Sequence, residues 1–202
     1  HPHSSDTLTI SVTRRMFRTR PRIRHRLSIL LCSGALLASG CVHKIHVAPI
    51  PQERSPATLP ARVQLEVPFL AIEGADHMPG ITLLEWPAAD LQHAIIEYFE
   101  QRQTFTTIGT EPADLRLVVK AWLTLRAPDR YLYRVHLETD LSVSGQAPLK
   151  TYASEGEAFG SSVRWVTASD QDPIAEATTQ ALHQLASQIE QDRELLRKSG
   201  GR

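Results

Sequence analysis

The residue whose type and position most directly suggest chemistry is Cys41, which follows three small residues at 38–40. Residues 27–37 before it form a mostly apolar run of about ten residues, the length of an export-signal core and too short to cross a bilayer. Residues 15–26 contain six arginines and no acid. A basic segment, an apolar run, small residues and a cysteine in this order predict a signal peptide that ends just before Cys41.

This pattern resembles the signal of bacterial lipoproteins, whose lipobox ends in a small residue followed by cysteine. The resemblance implies that diacylglycerol is attached to the Cys41 thiol, that the signal is cleaved before it, and that fatty acids anchor the protein. The position three residues before the cysteine is commonly Leu, whereas here it is Ala38 and Leu37 lies one residue earlier. In enteric lipoproteins the residue after the cysteine influences sorting, and Val42 favours the outer membrane, with the domain facing the periplasm.

The start of the natural signal is expected at Met16, at the head of the basic segment. Residues 13–17 also resemble a twin-arginine export motif, but about ten residues separate it from the apolar core, so we interpret it as chance. The predicted organisation is a non-native extension and signal peptide over 1–40, a lipidated, proline-rich tether over 41–60, and an α+β periplasmic domain over 61–199.

Charge and cysteine content exclude several classes of function. The chain has 22 basic and 22 acidic residues; seven basic and one acidic lie in 1–40, which leaves 15 and 21, a net charge of about −6. Such a domain has no electrostatic footprint for nucleic acid. With Cys32 in the signal and Cys41 acylated, no thiol remains for a nucleophile, a zinc site or an iron–sulfur cluster. We therefore expect no cofactor.

The prolines of the segment after Cys41 fix the backbone and remove hydrogen-bond donors, which predicts an extended tether. At about 3 Å per residue, such a tether would hold the domain several nanometres from the membrane. The prolines are Pro49, Pro51, Pro56 and Pro60.

Hydrophobic periodicity over the rest of the chain predicts six elements in the order β-α-β-β-β-α. Alternating apolar residues predict strands over 61–72, 115–125, 131–143 and, more weakly, 150–161; helical spacing predicts helices over 87–104 and 173–196. The predicted fold class is an α+β two-layer sandwich, with a mixed, mainly antiparallel sheet and two helices on one face. The first helix would form a right-handed crossover between parallel strands.

Catalytic and metal-binding motifs are weak. The chain contains no G-x-S-x-G, H-E-x-x-H, P-loop or G-x-G-x-x-G pattern, and Gly156 and Gly160 suit a bulge or a turn. A hydrolase would need a nucleophile beside a base, and the least unsuitable pair is Ser161 or Ser162 with His136. Two groups have metal-ligand side chains but are interpreted as incidental polar residues: His43 with His46, and Glu73 with Asp76 and His77.

The outward faces of the second and third predicted strands carry opposite charges, which predicts cross-strand ion pairs on a wet surface. The cations are Arg116, Lys120 and Arg126, and the facing groups are His136, Glu138 and Asp140. Three apolar residues interrupt this face and form a candidate partner surface, although the tether or a loop could cover them: Val118, Trp122 and Leu132. Trp86 and Trp165, each beside a loop, are expected to close the ends of the core.

The β-α-β-β-β-α order behind an acylated cysteine resembles small bacterial envelope lipoproteins, among them outer-membrane LPS-assembly lipoproteins and auxiliary lipoproteins of ABC transport systems. The resemblance concerns architecture and length over 61–198, so it implies no functional residues. We expect a membrane-anchored, non-catalytic lipoprotein that binds another envelope protein or an amphipathic ligand as an accessory or assembly factor. The alternatives are an LPS or lipid transport accessory and an envelope hydrolase.

Overall fold

The computed structural model describes residues 41–73, 82–109, 111–126, 131–160, 171–194 and 196. Within these ranges the elements follow in the order β1 (Cys41–Lys44), β2 (Leu59–Glu73), β3 (Thr82–Glu85), α1 (Ala88–Arg102), β4 (Phe105–Ile108), β5 (Leu115–Arg126), β6 (Leu132–Val143), β7 (Pro148–Phe159) and α2 (Gln171–Gln191). No helix in this part of the chain combines the length and apolar character that crossing a bilayer requires.

Five strands form a mixed open sheet in the order β4-β2-β5-β6-β7. β2 is parallel to both β4 and β5, whereas β5, β6 and β7 are successively antiparallel. Helix α1 packs on β2 and β4, and α2 packs on β6 and β7. The predicted α+β class is therefore confirmed. Among the described residues, the helices cover one face of the sheet and no helix packs on the other, which we call the open face.

Periodicity explains why these segments fold as they do. In β5 every second residue is buried, and the residues between them are half-buried or exposed. The apolar stripe of α1 is buried as the spacing predicts, and the helix begins directly after Pro87, which needs no N–H at that position. Helix α2 has Pro173 in its first turn and buries Ile174, Ala177, Ala181, Leu185 and Ile189.

Three short strands were not predicted. β1 and β3 form a separate parallel pair in which Cys41 is in register with Thr82. β4 pairs with the start of β2 at one edge of the main sheet. Each of these strands has only four residues, which is too few for alternation to distinguish a strand from a loop.

The expectation of a free tether over 41–60 is corrected by the packing of this segment on the domain. Ile45 is fully buried, Val47 is 9 % exposed, and the Ile45 N–H donates to the Glu85 carbonyl at 2.8 Å. Further along, the Ser55 N–H donates to the Arg102 carbonyl at 2.7 Å. Burying one such aliphatic side chain stabilises the folded state by about 1.5–3 kcal/mol. This gain offsets the conformational entropy lost when roughly one residue of the segment is ordered.

Candidate functional site

The open face of the sheet is built from rows of residues that the strand registers place side by side. One row contains Phe69, Lys120 and Glu138, and the next contains Trp122 and His136. The predicted outward direction of the β5 and β6 residues is confirmed, because these positions are half-buried and alternate with a fully buried set.

A register shift in β2 brings Phe69 onto this face. Val63, Leu65 and Val67 point into the core, so strict alternation would also turn residue 69 inward. The shift lies between Glu66 and Phe69 and reverses the alternation, so that Phe69 is 44 % exposed opposite Lys120.

Phe69, Trp122 and His136 form an aromatic cluster in the middle of the open face. The ring centroids of Phe69 and Trp122 are 5.4 Å apart, with an angle of 55° between the rings. The Trp122 and His136 centroids are 5.3 Å apart, with an angle of 50°. These distances are those of favourable aromatic pairs, and Tyr, Trp and Phe are enriched in the interfaces of protein complexes.

Ion pairs surround the aromatic cluster on the same face. Lys120 donates to Glu138 at 2.9 Å and lies 3.8 Å from Asp140, and the hydrogen bond to Glu138 raises the pKa of Lys120. Arg116 donates to Glu66 at 2.5 Å, which raises the pKa of Arg116. The charges of the open face therefore neutralise one another locally.

Further ion pairs between β6 and β7 complete the polar frame, by which we mean the charged residues that surround the aromatic cluster. His136 Nδ1 lies 3.0 Å from Glu155 Oε1, and Arg134 pairs with Glu157. A carboxylate that works as an acid or base needs a pocket that shifts its pKa, whereas these carboxylates lie opposite an arginine and a histidine on a solvated sheet. The arrangement suits recognition of another surface better than proton transfer.

The structure separates the three predicted partner-surface residues. Trp122 is in the aromatic cluster, and Val118 lies four residues before it along β5, in register with Glu66 on one side and Asp140 on the other. Leu132 lies at the far end of β6, in register with Arg126 and Phe159, and Phe159 is 60 % exposed. Sequence reasoning missed Phe69 and Phe159 as members of exposed apolar sites, because the strand shift and the β6–β7 register are not visible in the alternation alone.

The outer edge of β7 is covered by α2. Gln180 and Gln184 accept hydrogen bonds from the Glu157 and Glu155 N–H groups at 3.1 and 2.7 Å. Gln188 donates to the Ala153 carbonyl at 2.9 Å. These glutamines lie four residues apart on one face of α2 and take the place of a further strand, so strand addition at this edge is hindered.

The other sequence-predicted candidates do not form a site in the part of the chain that the structure describes. His46 Nδ1 lies 2.8 Å from Asp90 Oδ2, and among the described residues no three His, Cys, Asp or Glu side chains converge as metal ligands. Trp86 is 4 % exposed and in the core, as expected. Five residues with proposed roles lie outside the described residues: Asp76, His77, Ser161, Ser162 and Trp165.

A shallow cleft of about 450 Å³ lies beside the start of β5, where Glu111, Ser144 and Arg116 line it. Its one lining cation, Arg116, is already paired with Glu66. The cleft therefore offers no free positive charge for an anionic ligand, and the aromatic cluster is the stronger candidate site.

Comparisons with known proteins find solved structures with very low sequence identity and TM-scores below 0.5. No protein-family model matches the chain, and no curated protein matches it. The Xanthomonas campestris protein XCC0632, of the DUF330 family, is 16 % identical, with a TM-score of 0.46 over 78 % of this chain and 96 % of that one. The hypothetical protein CT253 of Chlamydia trachomatis is 9 % identical, with a TM-score of 0.48 over 65 % and 96 %.

A minor lipoprotein from Acinetobacter baumannii is also similar in structure. It is 11 % identical, with a TM-score of 0.42 over 61 % of this chain and 93 % of that one. At these identities and TM-scores, no statement about function passes from the three proteins to this chain.

Proposed function

We propose that this protein is a non-catalytic envelope lipoprotein, anchored through acyl chains on Cys41, that binds another envelope protein through the open face of its sheet. The observation that carries the proposal is the aromatic cluster of Phe69, Trp122 and His136, which lies among mutually neutralised ion pairs. Large aromatic side chains at the centre of a polar frame are the usual arrangement of a protein interface.

The anchoring part of the proposal rests on the signal pattern before Cys41. It is tested by growing cells that express the full chain with labelled palmitate. We expect label on the wild-type protein and on Cys32→Ser, and none on Cys41→Ser, which should also leave the membrane fraction. Label that persists on Cys41→Ser would contradict the acylation site.

The binding part is tested with Trp122→Glu and Phe69→Glu in pull-downs from envelope extract. A buried carboxylate at an interface leaves an unpaired charge, which costs several kcal/mol and should release a partner that uses this face. Leu149→Glu is the matched control, because Leu149 is also exposed, at 40 %, but lies at the start of β7 and not in the aromatic cluster. Circular dichroism confirms that each variant is folded.

Three results would argue against this proposal. If all three variants retain the same partners as the wild type, the aromatic cluster is not the docking surface. If the wild type retains lipid or LPS instead of protein and Trp122→Glu loses it, the alternative of a lipid transport accessory is favoured. Turnover of an envelope substrate by Trp122→Glu at the wild-type rate would favour a hydrolase.

A further inference from the structure

We infer that a second surface, at the end of the sheet where β6 begins and β7 ends, lies against the bilayer that holds the acyl chains. We call this surface the apolar rim and define it by Tyr131, Leu132 and Phe159. The inference rests on the proposed acylation of Cys41 and adds an orientation to it. The end of the domain that contains the apolar rim contacts the membrane surface directly.

The first argument is that no free chain separates the anchor from the domain. Cys41 is the first residue of β1 and is already in register with Thr82 of β3. Each residue of a free extended linker would add about 3.3–3.6 Å between the anchor and the domain. Here no unpaired residue lies between the acylated position and the first strand pair, so the linker length is close to zero. Acyl chains at Cys41 therefore bring the surrounding end of the domain to the lipid headgroups.

The position of Cys41 follows from the path of the chain after it. His46 contacts Asp90 in the first turn of α1, and the Ser55 N–H bonds to the carbonyl of Arg102, the last residue of α1. The segment thus runs beside α1 in the same direction as the helix. Followed backwards from His46, it leads to Cys41 beyond the N-terminal end of α1.

The N-terminal end of α1 lies at the end of the sheet that contains the rim. Near the other end of α1, Thr104 accepts a hydrogen bond from Leu59, the first residue of β2. Near the start of α1, Gln92 accepts one from Val67. Helix α1 is therefore antiparallel to β2 and begins toward the end of β2, the end at which β5 and β7 also finish and β6 starts.

The chemistry of the rim suits a membrane interface. Phe159 is 60 % exposed, while Tyr131 and Leu132 are partly buried against the domain, and Tyr residues are enriched at the level of lipid headgroups. Exposed Arg126, in register with Leu132, is placed to meet headgroup phosphates. A soluble partner would have to share this space with the bilayer, so the lipid surface is the occupant we assign.

The test places nitroxide labels at the two ends of one strand. The full chain, as Phe159→Cys or Leu149→Cys in a Cys32→Ser background, is purified with its anchor and reconstituted in phosphatidylethanolamine–phosphatidylglycerol vesicles. Power saturation then compares collision with oxygen, which concentrates in the bilayer, against a water-soluble nickel chelate. Both positions are exposed in the structure, at 60 % and 40 %, so the labels should leave the fold intact.

We expect the oxygen-to-nickel ratio at residue 159 to be severalfold higher than at residue 149. Equal ratios on a protein whose mass spectrum shows acylated Cys41 would overturn the orientation and leave the lipid anchor standing. A protein that lacks acyl chains and washes off the vesicles would overturn both the anchor and the orientation. The mass spectrum thus distinguishes the two failures.

Discussion

Gly156 of β7 lies so close to α2 that a Cβ on it would come within 2.0 Å of the Ala177 carbonyl oxygen. The same Cβ would lie 2.8 Å from the backbone nitrogen of Ala181. Both neighbours are helix backbone atoms, so no side-chain rotation could relieve the contact. This glycine therefore sets the distance at which α2 packs on the sheet.

Gly156→Ala should lower the free energy of unfolding by about 3 kcal/mol, because α2 would have to move away from β7. Urea denaturation followed by circular dichroism measures the change. Gly145→Asn is the control: Gly145 has a positive φ of 78°, and nothing lies within 4 Å of its Cβ position. Asn tolerates this backbone conformation, so a change under about 1 kcal/mol is expected. Equal losses would show that the contact with Ala177 is not the cause.

Replacing the glutamines that cover the β7 edge should loosen that edge. In the double variant Gln180→Ala, Gln184→Ala, the N–H groups of Glu155 and Glu157 lose their acceptors, so their amides should exchange with solvent faster. Stability should fall by about 1 kcal/mol for each bond. Amide hydrogen exchange by NMR checks this, with Gln191→Ala on the exposed end of α2 as the control. Unchanged exchange at both amides would contradict the role of the glutamines.

The long elements of the fold were predictable because their burial has a simple period. β5 and β6 have one buried face over twelve residues each, so alternation identifies them almost to the residue. The i, i+3, i+4 spacing of Leu91, Ala94 and Ile95 likewise identifies the core side of α1. From the same period the sequence also indicated that Trp122 points away from the helices.

What was not predictable depends on contacts between distant parts of the chain. Phe69 joins Trp122 only because β2 shifts register after Glu66, and nothing in the local pattern places that shift. The segment around Ile45 looked like a tether because prolines follow it, but its apolar side chains bury against the domain. Leu132 was grouped with Trp122 because both point outward, although the strand register places it beside Phe159.

The Arg62 guanidinium and backbone N–H bond to Asp114 and lower the pKa of that carboxyl to about 2, from a usual 3.8. Because the folded-state pKa is depressed, this contribution to stability is present above about pH 4 and is lost as the pH falls through about 2. In Arg62→Gln, NMR titration of the Asp114 carboxyl should show a midpoint that rises from about 2 toward 3.8, while the backbone N–H of residue 62, which the substitution keeps, still holds it below 3.8. Arg116→Gln removes a nearby arginine that pairs with Glu66 instead, so the midpoint should stay near 2 there.

The buried ion pair between Arg102 and Glu190 joins the two helices. Arg102 is 1 % exposed, and its guanidinium donates to both oxygens of Glu190 at 3.3 and 3.1 Å. A third bond, at 3.1 Å, runs from Arg102 to the Glu53 carbonyl in the segment that connects β1 to β2. Arg102 therefore has two separable roles, one in neutralising Glu190 and one in holding this segment.

Arg102→Leu should lower the free energy of unfolding by about 3–5 kcal/mol, because it leaves the Glu190 carboxylate largely buried without a cation. Arg102→Leu with Glu190→Leu should recover most of that loss, since no unpaired charge remains. Neither variant has a donor for the Glu53 carbonyl, so trypsin should cut after the exposed Arg54 faster in both than in wild type. Urea denaturation and timed proteolysis measure the two effects separately. A double variant that is stable and also resists cleavage as the wild type does would show that Arg102 does not hold the segment.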